Sequence, residues 1–394
     1  MKVAFLLHAY QPPTQFPEIT RRITRECYRP LVKLLLDNSQ ARITLNFVGS
    51  LTEQLVRQGE RELLKHIAYL IQQNQVELTG TPAYHPLLTT LPKPEIVRQD
   101  KLNKLINQDY FGESVFKARG FFLPEMFYER QVGEVINQLG YQWVVVDETA
   151  FPSVVIKNLG DKQHKKLHIS QFVYRLSGTN LKVFFRDDLI SLQLALAPHL
   201  SVSDFVGRLK EHYLEGQEGY AVVALDAETF GHHHTGRLKL LEKILNHPNI
   251  QTVTMSEVLG LGLEEVEIDP KFSTWGQVTE NEDTQERLFL RWNNPDNQVH
   301  QLQWQLYELM LANINHVNEN KVDLSDKAIH SDFFYWGGHD PVWHPQMVER
   351  GAKLLRDAIF EVCGERDKRS QQAQSLYQRI VKTGNELYGE KIVL

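Results

Sequence analysis

Two segments of the chain each place a carboxylate just after an apolar, β-rich run. They are Glu125 in Phe122-Leu123-Pro124-Glu125 and Asp226 in Leu225-Asp226-Ala227-Glu228. The order is the same both times: buried strand, carboxylate at its C-terminal tip, then a helix. In α/β barrels the strand tips form the active-site face. Two carboxylates from different strand tips are the minimum equipment for cutting a glycosidic bond. Phe121, Phe122, Phe127 and Tyr128 surround Glu125 with aromatic surface. Such a wall can stack on a sugar ring or raise a carboxyl pKa. The structural alternative is that Pro124-Glu125 opens the next helix, where an acidic residue is favoured. The local residues leave both readings open.

Other polar groups fall at the same kind of position. The first strand runs into Leu7-His8-Ala9-Tyr10-Gln11-Pro12-Pro13, and the prolines stop it and stiffen the turn. His8 and Gln11 then sit on the strand-tip face. Tyr84-His85-Pro86 closes a loop after a third strand, and Arg186 lies in Phe185-Arg186-Asp187-Asp188 after a sixth. The densest cluster is Asp226 to Gly236, with Glu228 and the run His232-His233-His234. Three consecutive side chains do not converge on one ion without unusual backbone, and paired ligands usually stand three or four apart. Loop polarity and hydrogen bonds to hydroxyls suit these histidines better than a metal, and no cofactor is expected.

The elements that must carry these groups alternate. Strands are predicted at Val3–Leu7, Ile43–Phe47, Val76–Leu78, Ala118–Leu123, Trp143–Val146, Val183–Phe185, Ala221–Leu225 and Thr252–Thr254. Several are continuously apolar, as parallel strands buried on both faces are. Helical patterns fill the gaps, giving a parallel α/β barrel, with a doubly wound open sheet as the alternative. The absence of a Gly-rich loop after the first strand weakens a nucleotide-binding version. The acidic stretch Gly262–Pro270 reads as a linker. Beyond it, apolar residues recur at helical spacing, as at Leu302, Leu306 and Met310 or Leu355, Ile359 and Val362. The expected division is a barrel over 1–262 and a helical bundle over 263–394.

Composition bounds the partners. The net charge is −6, with acidic and basic residues interleaved. That argues against nucleic acid or an anionic membrane and suits a neutral substrate. No run approaches the ~18 apolar residues that span a membrane. Met1–Pro13 reads as a first strand and lacks the features of a signal peptide. Cys27 and Cys363 read as isolated thiols in a reducing compartment, so a cytoplasmic protein is expected.

Taken together, these segments resemble glycoside hydrolase family 57. His8 and Gln11-Pro12-Pro13 match the first motif of that family, Gly80 with Tyr84-His85-Pro86 the second, Phe122 to Glu125 the third, and Asp226, Glu228, Phe230 and Gly231 the fourth. Trp275, Trp292, Asn297 and His300, and the segment around Asp332 and Trp336, resemble its last motif. The resemblance implies an incomplete parallel (β/α)7 barrel followed by a C-terminal helical bundle. It also implies retaining chemistry on α-1,4-linked glucans or malto-oligosaccharides without a metal. Glu125 would be the nucleophile and Asp226 the general acid/base. His8, Tyr10, Gln11, Tyr84, His85, Phe122, Arg186, Glu228, His232, Trp275 and Trp336 would bind substrate. Two departures stand out: Tyr10 where the family usually has a second His, and Phe122 where Trp is common.

Retaining chemistry needs the two carboxyl groups ~5–5.5 Å apart. It also needs their pKa values split, with Asp226 expected to be the more raised. α-Amylase-like hydrolysis is the first reading, with 4-α-glucanotransferase or branching activity as alternatives. Two other classes compete. A catalytically weak glucan-binding protein would fit Tyr10. A metal-dependent carbohydrate deacetylase would need an Asp-Asp pair near the first strand, and this chain has none.

Overall fold

The computed structural model describes residues 1–152, 168–197, 199–212, 218–276, 289–316, 318–338, 342–389 and 392. Strands alternate with helices through the first two thirds. The strands are β1 Lys2–Ala9, β2 Ile43–Phe47, β3 Val76–Leu78, β4 Gly120–Phe122, β5 Trp143–Asp147, β6 Phe172–Leu176, β7 Lys182–Arg186, β8 Tyr220–Asp226, β9 Gln251–Val253 and β10 Glu264–Ile268. The α-helices are α1 Pro17–Ile23, α2 Arg29–Asp37, α3 Gly49–Arg57, α4 Arg61–Gln72, α5 Lys93–Phe111, α6 Arg130–Gln138, α7 Asp188–Leu196, α8 Val202–Leu209, α9 Arg237–Leu245 and α10 Met255–Val258. The last part of the chain supplies α11 Gln298–Leu311, α12 Leu324–Ala328, α13 Asp332–Tyr335, α14 Pro345–Cys363 and α15 Lys368–Tyr388.

One sheet runs β3-β2-β1-β8, with β9 also on β1, and the other runs β10-β6-β7-β5-β4. All pairings are parallel except β6 with β7. Two seams join the sheets. At one, the Asp187 amide donates to Val222 O at 2.8 Å. At the other, Gly80 bridges to Phe121 in parallel register. The circuit β1-β2-β3-β4-β5-β7-β8 is thus a seven-strand parallel barrel, stitched rather than fully paired where the sheets meet. The second seam needs glycine: a Cβ on Gly80 would lie 2.0 Å from the Tyr141 hydroxyl, and one on Gly120 would lie 1.9 Å from the Trp143 ring.

The alternation of side chains along each strand builds the site's floor. Ala4 and Leu6 of β1, Phe122 of β4, Trp143 and Val145 of β5, Phe184 of β7, and Val222 and Ala224 of β8 form one buried cluster. This is the plug inside the barrel. The next residue of the same parity is polar on four strands: His8, Asp147, Arg186 and Asp226. The register sets His8 beside both Asn46 and Asp226, and Asp147 beside Arg186. A polar layer therefore caps an apolar plug at the C-terminal ends of the strands. The opposite parity, Phe5, Leu7, Val223 and Leu225, packs outward on the helices.

Two strands depart from the sequence reading. β6 was not anticipated. The acidic stretch read as a linker contains β10, which adds to β6 at the sheet edge. Its Glu265 pairs with Arg175 and Lys182, so the charges belong to an edge strand that is ion-paired across the sheet. The expected helical stripe is present in α11 and, except for Val362, in α14; Val362 at the end of α14 is exposed rather than packed. Among the described residues no helix is long and apolar enough to cross a membrane.

Candidate active site

Glu125 and Asp226 line one cleft of about 930 Å³ over the strand tips. Asp226 is the last residue of β8 and points inward by strand parity. Glu125 follows β4 through Pro124 in a single tight turn, not in the α-helix that an acidic start would favour. Its backbone is left-handed, with φ 55°. That conformation costs a non-glycine residue about 1–3 kcal/mol and persists only where neighbours hold it. Here Thr274 Oγ1 donates to the Glu125 carbonyl at 2.7 Å, and the Trp275 amide does so at 3.2 Å. The carboxylate accepts from Trp275 Nε1 at 2.9 Å and from Ser331 Oγ at 3.4 Å. His85 is also left-handed, with φ 57°. The Ser331 amide donates to its carbonyl at 3.0 Å, and Ser331 Oγ lies 3.0 Å from its Nδ1. Both strained residues of the cleft are thus pinned by segments that come after the barrel strands.

Burial pushes Glu125 up to about 8, assisted by the charges of Asp332 and Asp226 and opposed by the Trp275 bond. Burial raises Asp226 too, but His8 and Arg186 oppose the rise. The expectation that Asp226 carries the greater upward push is therefore reversed. The Arg186 guanidinium stands near Asp226, whereas the donors to the Glu125 carboxylate, Trp275 and Ser331, are neutral. Glu228 is pushed to about 8 by burial and by Asp226, although it accepts from Gln11 Nε2 at 3.2 Å and from the Tyr28 hydroxyl. His8 and His85 are both held below the usual imidazole value by burial. His8 Nδ1–H donates to Asn46 Oδ1 at 2.6 Å, which leaves Nε2 as an acceptor.

Asp332, at the start of α13, was not among the site residues expected from the sequence. Burial alone would raise it, yet His330, His85 and Tyr10 hold it below the usual carboxylate value. The Tyr10 hydroxyl donates to its Oδ2 at 2.5 Å, and the Tyr10 ring stacks on His85 with centroids 4.0 Å apart. Beside Glu125, Asp226 and Glu228, the cleft therefore contains a further carboxylate, and this one favours its ionised form. The sequence signal was the polar triplet His330-Ser331-Asp332 ahead of Phe333-Phe334, inside a stretch that otherwise reads as helix core.

The structure brings His8, Tyr10, Gln11, His85, Arg186, Glu228, His232, Trp275 and Trp336 to this cleft. Two expected binding residues do not reach it. Tyr84 is buried with Ala83, Leu102 and Ile106, because the left-handed turn at His85 sends the neighbouring side chains different ways. Phe122 belongs to the barrel plug and supports His8 from below, with ring centroids 4.6 Å apart. Asn297 and His300 serve the helical region instead: Asn297 caps α11 and His300 bonds to Phe334 O at 3.0 Å. The histidine run divides as well. His232 and His233 line the cleft, with His232 bonded to Glu26 Oε2 at 2.7 Å, whereas His234 lies in a neighbouring hollow with Thr235 and Arg237. Several buried polar atoms of residues lining the cleft, among them His85 Nε2, Trp292 Nε1 and Trp336 Nε1, have no hydrogen-bond partner among the described residues. Buried groups of this kind are usually satisfied, so they mark places where a ligand can bond.

Fold and site together define an α/β-barrel protein with a strand-tip cleft built around paired carboxylates. The chain belongs to glycosyl hydrolase family 57, whose model matches residues 6–271. It is 25% identical over 227 residues to an α-amylase of Pyrococcus horikoshii, a match covering 58% of this chain and 34% of that one. It is 26% identical over 149 residues to a 4-α-glucanotransferase of Thermococcus litoralis, covering 38% and 22%. The matches thus span about a third or less of these relatives' length. Among solved structures, the Thermococcus litoralis 4-α-glucanotransferase superposes with a TM-score of 0.70 at 19% identity, covering 92% of this chain and 60% of that one. A family 57 branching enzyme of Thermococcus kodakaraensis also gives 0.70, at 16% identity, covering 98% and 96%.

Proposed function

We propose that the protein is a retaining glycoside hydrolase or transglycosylase acting on α-1,4-linked glucans. The observation that carries this reading is the meeting of Glu125 and Asp226, from two different strand tips, in one cleft of a family 57 barrel. In the reactive form the pair holds one proton, on Asp226. Ionised Glu125 attacks the anomeric carbon while Asp226 protonates the departing oxygen. The glycosyl ester on Glu125 is then cleaved by water, or by a sugar hydroxyl, that Asp226 deprotonates. Trp275 and Ser331 hold Glu125 by its carboxylate oxygens. Ionised Asp332 would accept hydroxyls of the scissile sugar and attract the positive charge that develops on its ring. His85 Nε2 and Trp336 Nε1 supply further contacts.

Relatives named as α-amylases and 4-α-glucanotransferases favour an α-glucan substrate, and 4-α-glucanotransferase or branching activity is the second reading. We place the protein in the cytoplasm; the free thiols Cys27 and Cys363 agree with a reducing compartment. The test is the product ladder from maltoheptaose over time, with Glu125→Gln as the blank. Shorter products alone would mean hydrolysis. Both shorter and longer products would mean transfer. An unchanged ladder would sink the reading.

A further inference from the structure

The cleft is lined by two unlike stretches. One is aromatic: Trp275, Trp292, Tyr335 and Trp336. It is attached to Glu125 through the indole bond of Trp275. The other is largely aliphatic: Ile19 and Ile23 of α1, with Leu192, Ala195 and Leu196 of α7, and Glu18 and Arg22 of α1 as its charged members. Both helices of this second stretch are fastened to the segment that carries Asp226. On α7, Ser191 Oγ accepts from the Ala224 amide at 3.2 Å. The helical turn that continues α1 donates from Cys27 Sγ to Ala227 O at 3.0 Å.

Helix α7 also breaks the usual pattern of a surface helix. Ile190 and Leu194 are buried and hold it to the core. The outward positions should then be polar. Instead Leu189 is 37%, Leu192 43% and Leu196 69% exposed. Sugars favour aromatic faces and hydrogen-bonding partners, and a bare run of leucines suits neither. The general acid must stand beside the departing oxygen, so the leaving group or incoming acceptor lies on the Asp226 side.

Resting on the glycosidase reading above, we propose that the cleft takes an α-glucoside whose aglycone, or an acceptor whose hydroxyl group, carries an alkyl chain seated along Leu192, Leu196 and Ile19. In the first step the bond from the anomeric carbon to the alkyl-bearing oxygen breaks and the ester to Glu125 forms. That oxygen takes the proton of Asp226. In transfer the same events run backwards, with the alkyl-bearing hydroxyl giving its proton to Asp226.

The test is a calorimetric titration of the full chain carrying Glu125→Gln. The probes are n-octyl α-maltoside below its micelle concentration and methyl α-maltoside. Burying several methylenes should make the octyl compound bind about tenfold or more tightly than the methyl one. Adding Leu192→Ser and Leu196→Ser, both at exposed positions, should bring that ratio close to one. A ratio near one in the parent, or one untouched by the serines, overturns the proposal. So does sedimentation showing a dimer that the serines dissolve with no octyl preference, since the wall would then be covered by a second copy. An intact maltoheptaose ladder with a ratio near one removes only this inference. A missing ladder removes the glucan reading, whatever the ratio.

Discussion

The surroundings of the two carboxylates come from different parts of the chain. Asp226 is framed by its own barrel: His8 pairs with it across the strands, and Arg186 lies on the neighbouring β7. Glu125 also grows from a barrel strand, but its partners Thr274, Trp275 and Ser331 come after the last barrel strand. The contrast teaches a division of labour. The barrel fixes where the carboxylates stand, and the later segments fix how one of them is oriented and charged. Asp332 belongs to the same later layer and reaches back to Tyr10.

The sharpest way to break this comparison is at the carboxylates. Glu125→Gln should cost several orders of magnitude in kcat on maltoheptaose, and a variant keeping a substantial share of the rate would remove Glu125 as nucleophile. Asp226→Asn should lose about 10²–10⁴-fold on glucans. It should lose far less on an aryl glucoside whose leaving group needs no proton in the first step. Asp332→Asn tests the later layer. A loss of about 10²-fold in kcat with little change in KM is expected if its charge acts in the transition state. Tyr10→Phe, which deletes only the bond to Asp332, should cost about tenfold. Trp275→Phe should cost about as much and also move the pH profile. Burial sets Glu125 at about 8, above Asp226, and the reactive form holds one proton, so the falling limb of kcat/KM should lie near 8. Deleting the indole donor should move that limb higher still.

The smallest effect lies far from the chemistry. His316 bridges Glu95 of α5 at 3.0 Å and Asp323 at 2.9 Å, and its pKa is raised: burial opposes the charge, but the two carboxylates prevail. The imidazolium therefore contributes stability that is fully present below about 6.5 and is lost as pH rises through the raised value. The Tm difference between wild type and His316→Gln should be largest near pH 6 and vanish in alkaline buffer. A difference that grows with pH would overturn this.

Much of the barrel was legible because buried parallel strands write themselves as apolar runs. Both carboxylates were legible because each follows such a run. β10 was missed because an edge strand held by ion pairs looks, in sequence, like an acidic linker. Asp332 was named only within a motif and given no role, because its neighbours Phe333 and Phe334 pack in the helical core and the local pattern speaks of packing. Tyr84 was misplaced because the left-handed backbone of His85 is invisible in composition, and strand-tip position alone does not say which way a side chain turns. Phe122 was misread because aromatic neighbours of a carboxylate resemble a sugar platform whether they face the cleft or the plug beneath it.

The left-handed backbone of Glu125 carries one more consequence. Glycine would occupy this position at no steric cost, whereas Glu125 is held in it by its bonds to Thr274, Trp275 and Ser331. Glu125→Gly should therefore melt at a higher temperature than the native chain while losing all turnover.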